Sequence, residues 1–385
     1  MGRRESRAER AMASIYLQQL QHAAAVPPIR HSGARSVCAM SVWRRKDGPA
    51  RQSRARGCLA LKEWARPGML SSTTGVFREP EDFQVAMREY GCTNLVATDQ
   101  GAFRTRLTRI ELHRLRLLSA EEALARIAFF SIPRDAILVS VPLGDNLPPI
   151  WGGTATRIDE IVTLGGEHRM YTRSASGCRW GIIVLPAKLL ESYAQTVVGN
   201  VPKLMSGASR RRPSAKARRD LVRLHTSATR VADAQAGVIT MSEPARRLEQ
   251  DLIGVIIACL TEGFAEPGND AGARHSDIMA RFEELLQTHP NRALTSDEIC
   301  AALDVSGRTL RMCCGEHLGM GPTPYIRIRR MQLVRRALRC ADAATASVAQ
   351  IASDHGFGEA GRFAGAYRAQ FGELPSATLR HSAGR

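Results

Sequence analysis

Two stretches near the end of the chain hold residues whose type and spacing could act on a polyanion. Ser306, Arg308, Thr309, Arg311 and Met312 fall in the first. Glu359, Arg362 and Arg368 fall in the second. On a short helix that starts at Ser306, the apolar Leu310 and Cys314 would anchor the inner side. Arg308, Thr309, Arg311 and Met312 would then point outward. Such a helix fits the DNA major groove, where arginine can grip guanine O6 and N7 with two hydrogen bonds. The second stretch has a small outward face on which only Glu359 and Arg362 reach far. Arg362 and Arg368 there suit contacts to the sugar-phosphate backbone.

The elements that must position these residues come in matching pairs. Ser296 to Leu310 reads as two short helices, and so does Ser347 to Phe363. Ile299 and Val305 are six residues apart, as are Ile351 and Phe357. The next apolar anchor is Leu310 in one and Phe363 in the other, so the second turn is one residue longer. Asp304 and Gly356 sit where the turn needs a left-handed backbone, which Asp tolerates and Gly prefers. Val305 and Phe357 plug the turns, and Ser306 can cap the following helix. A long helix, Thr323 to Cys340, joins the pairs. Ile326, Met331, Val334 and Leu338 face inward on it, and Arg327, Arg329, Arg330, Arg335, Arg336 and Arg339 spread around it.

With these residues, the stretch 278–380 resembles the DNA-binding domain of AraC/XylS-type transcription regulators. The matching positions are Ser306-x-Arg308-Thr309-Leu310, Leu318-Gly319-x-x-Pro322-x-x-Tyr325 and Arg330-Met-x-Leu333-x-x-Arg336-Ala337-Leu338. Val348-x-x-Ile351-Ala352-x-x-x-Gly356-Phe357, Arg362-Phe363-x-x-x-Tyr367-x-x-x-Phe371-Gly372 and Pro375-Ser376 follow. The resemblance implies two helix-turn-helix units that read two successive major-groove segments. Cys314 replaces the usual aromatic, and Met312 stands where a basic residue is frequent. The first unit is therefore expected to supply most base readout.

Ahead of this domain, residues 69–205 read as β-rich. Thr105 and Leu107 alternate with Arg104 and Arg106, and resets near Leu112 suggest bulges. Ala136 to Val141 and Trp180 to Leu185 are β-branched runs separated by Gly- and Pro-rich turns. The fragments Arg104-x-Arg106-Leu107-Thr108-Arg109-Ile110, Trp151-Gly152-Gly153 and Arg179-Trp180-Gly181 resemble a cupin-like sensor domain. The expected fold class is α+β: a β-rich, jelly-roll N-terminal domain, a helical dimerisation segment, then an all-α C-terminal domain. The helical segment is 206–265, with a basic, helix-compatible start. Its stripe of Leu248, Leu252, Val255 and Cys259 could face its own domain or a partner copy. Residues 266–275 read as a linker, and 276–385 as the double helix-turn-helix domain.

The chain has 385 residues and a formal net charge of +17. That length suits two or three domains at about 100–200 residues each. Residues 1–68 hold fourteen Lys and Arg against four acids, which is 14 − 4 = +10. They read as a loosely ordered basic tail that either binds DNA without selectivity or precedes a true start at Met69. The apolar region after its basic start is broken by Gln18, Gln19, Gln21 and His22, which argues against a secretory leader. The longest clean apolar run, Leu252 to Leu260, is far below the ~20 residues of a membrane span. Nine cysteines with no Cys-x-x-Cys pair fit free thiols in a reducing compartment. Cys313 and Cys314 read as core positions rather than a redox pair. His113 and His168 stand apart, so no metal site and no cofactor are expected.

The leading expectation is therefore an effector-responsive transcription regulator, not an enzyme, in a bacterial cytoplasm at the nucleoid. Its expected partners are double-stranded promoter DNA, RNA polymerase, an unidentified small-molecule effector and a second copy as homodimer, with no membrane. One rival is a DNA-binding domain fused to an alkyl-transfer enzyme, which needs a reactive cysteine. Another is a constitutive binder of little sequence preference.

Overall fold

The structure is a computed structural model that describes residues 70–381, apart from 145, 199–206, 235–238, 240, 263 and 266–269. The basic tail 1–68 and Met69 lie outside the described residues.

Two antiparallel sheets face each other. Strands β1 (Ser71–Phe77), β3 (Thr105–Glu111), β4 (Arg116–Glu122), β6 (Ala136–Pro142), β8 (Ile161–Gly165), β10 (Cys178–Pro186), β11 (Gly207–Arg212) and β12 (Phe264–Ala265) form the larger. Its order is β1-β3-β4-β10-β6-β8-β11-β12. The smaller has the order β2-β5-β9-β7, from β2 (Cys92–Ala97), β5 (Arg126–Ser131), β7 (Ile150–Trp151) and β9 (Arg169–Ser174). Period-two patterning explains the faces. On β3, Thr105 and Leu107 are buried while Arg106 is exposed. Phe130, Leu138, Trp151 and Trp180 fill the space between the sheets, with Phe83 and Met87 from α1 (Pro80–Met87). A buried pair lies there too: Arg126 Nε donates to Glu122 Oε2 at 3.0 Å, and Trp180 Nε1 to Glu122 Oε1 at 2.8 Å.

Each sheet also has an apolar outer face. Helices α2 (Ala187–Val198), α3 (Ala215–Ala234) and α4 (Ser242–Thr261) cover the larger sheet. The stripe on α4 is absorbed here. Leu248, Leu252 and Cys259 are buried in their own domain, so this stripe does not face a partner copy. The smaller sheet is covered by the C-terminal helices: α5 (Asp270–Thr288), α6 (Ser296–Leu303), α7 (Gly307–Leu318), α8 (Pro322–Cys340), α9 (Val348–Asp354), α10 (Ala360–Phe371) and α11 (Pro375–His381).

Three local expectations change. The reset near Leu112 is a tight hairpin: Glu111 pairs with Arg116, and Leu112 N donates to Leu115 O at 2.8 Å. Residues 207–212 form strand β11 beside β8, because sheet pairing outweighs a helix-compatible composition. Residues 270–275 begin α5 instead of linking domains.

Helix α3 approaches the larger sheet over Gly181. A Cβ there would lie 2.7 Å from His225 Nε2. That nitrogen donates to Leu118 O at 2.9 Å, and burial lowers the imidazole pKa to about 4. The unfolded chain takes up a proton below about pH 6.5, while the folded chain resists it. His225 therefore contributes full stability above pH 6.5, and this contribution drains as pH falls toward 4. Denaturant titrations at pH 7 and 4.5 should show a loss that includes roughly 2 kcal/mol from this group. His225→Gln should flatten that part of the profile.

Candidate nucleic-acid interface

The first helix pair is fixed by its caps. Thr295 accepts from Glu298 N, and the Glu298 carboxylate accepts from Thr295 N at 2.8 Å, closing a reciprocal cap on α6. Asp304 takes the left-handed backbone the turn needs, with φ 53°. Ser306 then starts α7 by accepting from Thr309 N at 3.1 Å. Leu310, Cys313, Cys314 and Leu318 are buried beneath it. Arg308, Arg311 and Met312 are exposed, as their spacing predicts. Thr309 is half-buried, with its hydroxyl 2.9 Å from that of Ser306. The Ser306 and Thr309 hydroxyls thus hold the helix start together.

The second pair repeats the plan. Ser347 caps α9 through Gln350 N at 3.4 Å. Phe363 and Tyr367 are buried beneath α10. Glu359 and Arg362 are both exposed and pair with each other at 3.0 Å, which removes much of the charge this helix presents. Arg368 is exposed nearer its C-terminal end. Arg330 of α8 braces the turn. Its Nε donates to His355 O at 2.8 Å, its Nη2 to Gly356 O at 2.5 Å, and its guanidinium lies 4.6 Å from the Phe357 ring centre. Gly356 has φ 77°, and a Cβ there would meet Arg330 Nη2 at 2.7 Å.

The arginines of α8 spread around the helix as their spacing implies, but most have fixed partners. Arg329, largely covered, pairs with the buried Glu283 of α5 at 2.5 Å, and the Tyr171 hydroxyl donates to the same carboxylate at 2.5 Å. Burial alone would lower the Arg329 pKa, but the Glu283 charge outweighs it and raises it. Arg335 pairs with Glu79 at 2.5 Å, and Arg339 pairs with Glu81 at 3.3 Å and Asp82 at 3.1 Å. Arg327 and Arg336 remain exposed. The Gln332 carboxamide, in the orientation that satisfies both its ends, donates to Leu95 O and accepts from Ala97 N. It thereby occupies the open edge of β2. The acidic run Glu79 to Asp82 in a basic chain was the available clue to this docking.

Both outward-facing helices are therefore oriented alike. The C-terminal end of α7 abuts the sandwich: Gly153 lies beside Glu316 and His317, and Arg173 of β9 lies against Gly319. Near the end of α10, Gln370 Nε2 donates to Ala97 O at 3.4 Å. The N-terminal turns of both helices, with Arg308, Arg311, Met312 and Arg362, are left exposed.

Residues 299–381 match the family model described as a helix-turn-helix domain. The C-terminal region is a helix-turn-helix domain of the AraC type. A XylDLEGF operon transcriptional activator from Pseudomonas putida is 30% identical over 135 residues, which is 35% of this chain and 42% of that protein. A probable thc operon regulatory protein from Rhodococcus erythropolis is 38% identical over 97 residues, 25% of this chain and 29% of that one. The chain thus spans less than half the length of these relatives, and the matched portions come from transcription regulators. Among solved structures, the AraC-like transcriptional activator CuxR is similar at 16% identity and TM-score 0.36, covering 68% of this chain and 94% of its own. ToxT from Vibrio cholerae O395 is similar at 11% identity and TM-score 0.27, covering 82% and 99%.

Five of the seven described thiols weigh against alkyl-transfer chemistry, while Cys300 is half-buried and Cys340 exposed. Cys92, Cys178, Cys259, Cys313 and Cys314 are buried. Burial pushes Cys92, Cys178, Cys259 and Cys314 up to about 12, and Cys313 to about 11. A thiol held that high is not a nucleophile near neutrality. Among the described residues, no helix is long and apolar enough to cross a membrane.

Arg330→Ala should destabilise the second pair by roughly 1–3 kcal/mol, since two hydrogen bonds to carbonyls and a stacking contact are lost. Hydrogen exchange of the amides around Gly356 should rise, while that of α7 stays as it was.

Proposed function

We propose that this chain is a sequence-specific, effector-responsive transcription regulator that reads two successive major-groove segments of promoter DNA. One observation carries the reading: α7, capped by Ser306, and α10 both meet the sandwich near their C-terminal ends and present exposed arginine-bearing N-terminal turns. In that geometry the N-terminal residues of a recognition helix can reach base edges. Arg308, Arg311 and Met312 do most of the reading, with Ser306 and Thr309 holding the turn and reaching the adjoining phosphate. The second helix contributes position more than selectivity. Glu359 competes with DNA for Arg362, and Arg368 meets the backbone. The matched portions of the relatives, which come from transcription regulators, support the same reading.

The reading carries further expectations. The regulator contacts RNA polymerase, takes a small-molecule effector, acts in the cytoplasm at the nucleoid, and performs no catalysis. Homodimerisation, if the promoter sites are paired, must use a surface other than the α4 stripe.

Arg308→Ala should weaken binding to the best DNA site by about 1–3 kcal/mol and relax selectivity at one base pair. Selection from a randomised DNA pool, done with both proteins, reads this directly. Equal weakening on all sequences would make Arg308 a phosphate contact.

A further inference from the structure

We infer that Met312 selects one thymine of the DNA site by packing its thioether on the C5-methyl group of that base in the major groove. The inference deepens the DNA-reading function proposed above and rests on it.

Helix α7 offers the groove a narrow stripe. Arg308 and Met312 are four residues apart on it, so they stand one turn apart on one face. Both are exposed, Met312 to 45%. Past Met312 the stripe recedes. Gly315 has no side chain, and nothing lies within 4 Å of the place its Cβ would take. Glu316, next on the same face, is turned aside: its carboxylate lies 2.7 Å from His275 Nδ1. Arg311 reaches back along the first turn, where its Nη1 would lie 3.5 Å from a Cβ on Gly307. Met312 is thus the last long, uncommitted side chain of the stripe that begins at Arg308.

A single exposed methionine is ordinary on a protein surface. This one is set apart by its place. Seven large apolar side chains are exposed among the described residues, and on α7 and α10 Met312 alone is one of them. It belongs to none of the four apolar clusters, so the fold draws no packing from it.

The chemistry of a thioether narrows what it can read. It has no proton to donate and accepts only weakly, so it cannot grip a base edge by hydrogen bonds. It is unbranched and polarisable, which suits contact with a small apolar group. Thymine is the one base that shows such a group, its methyl, in the major groove. Four residues of helix advance about 6 Å, close to two base-pair steps of about 3.4 Å each. The thymine therefore lies within two base pairs of the guanine that Arg308 grips.

The test uses the full chain and the best site selected from a randomised DNA pool. Each thymine of that site is replaced in turn by deoxyuridine, which pairs alike and lacks only the methyl, and affinity is read by fluorescence anisotropy. One replacement, within two base pairs of the position that loses its preference in Arg308→Ala, should weaken binding about three- to fivefold, the worth of one buried methyl. Met312→Ala should bind the thymine and deoxyuridine sites equally, while Met312→Leu keeps part of the difference. With cytosine at that position, 5-methylcytosine should bind the unaltered protein more tightly than cytosine does. No sensitive thymine, or a deoxyuridine penalty undiminished in Met312→Ala, would overturn the inference. The two readings fail differently. A pool that yields no preferred site removes the regulator reading and this inference together. A preferred site that depends on Arg308 but is indifferent to every thymine methyl removes this inference alone.

Discussion

The outer face of the smaller sheet cannot stand in water. It presents Val96, Ile127, Phe129 and Tyr171, all buried here beneath the first helix-turn-helix pair. The helices need the sheet as much. A pair as short as α6 and α7 encloses too little apolar surface to hold itself. Sheet and helices close one core, in which Phe129 meets Tyr171 edge-on at 4.8 Å and Tyr171 meets Tyr325 edge-on at 5.9 Å. Polar groups inside the seam are matched as well. Asn94 donates to the Tyr325 hydroxyl at 2.9 Å, and Glu283 takes both Arg329 and Tyr171. A buried pair of this kind adds little net stability, but losing one partner leaves a stranded charge at a cost of about 3–5 kcal/mol. The seam therefore specifies one docking geometry more than it strengthens the fold.

That geometry sets what the chain can touch. Three alternate residues of β9 point at the helices: Arg169 pairs with Glu284, Tyr171 with Glu283, and Arg173 lies against Gly319 at the end of α7. Alternation places them on one face, while Met170 and Thr172 point into the sandwich. A guanidinium at a helix C-terminus complements the partial negative charge there. The same strand thus borders the interior of the sandwich on one side and the base of the first reading helix on the other. Helix α8 ties the second unit to the edge of the same sheet through Gln332, Arg335 and Arg339. The spacing between the two reading helices is fixed by the sandwich as well as by α8.

Much of this was legible in the residues, and the reasons differ by element. The two helix pairs were readable because caps and turns are local: Ser306, Asp304 and Gly356 act within a few residues of themselves. The outward set Arg308, Arg311 and Met312 followed from helical period alone. Strands β3, β6 and β10 showed in their alternation or β-branching. The fates of Arg329, Arg335 and Arg339 were not readable, since their partners lie 38 to 258 residues away. Strand β11 was missed because its run of arginines looks helical until β8 offers it a ladder. The α4 stripe left two answers open, since an apolar face does not say what covers it.

The net charge of +17 has little bearing on how DNA would be read. Most of the charge lies in the tail, and much of the rest is paired across the seam. What matters is that the sandwich holds the base of each reading helix. Differential hydrogen exchange on Tyr171→Ala tests this most directly. Removing that ring should speed exchange in α5 and α7, more than ten residues of helix on the far side of the seam, together with β9. Faster exchange confined to the sandwich, with α7 unchanged, would show that the two parts fold independently and would contradict the account.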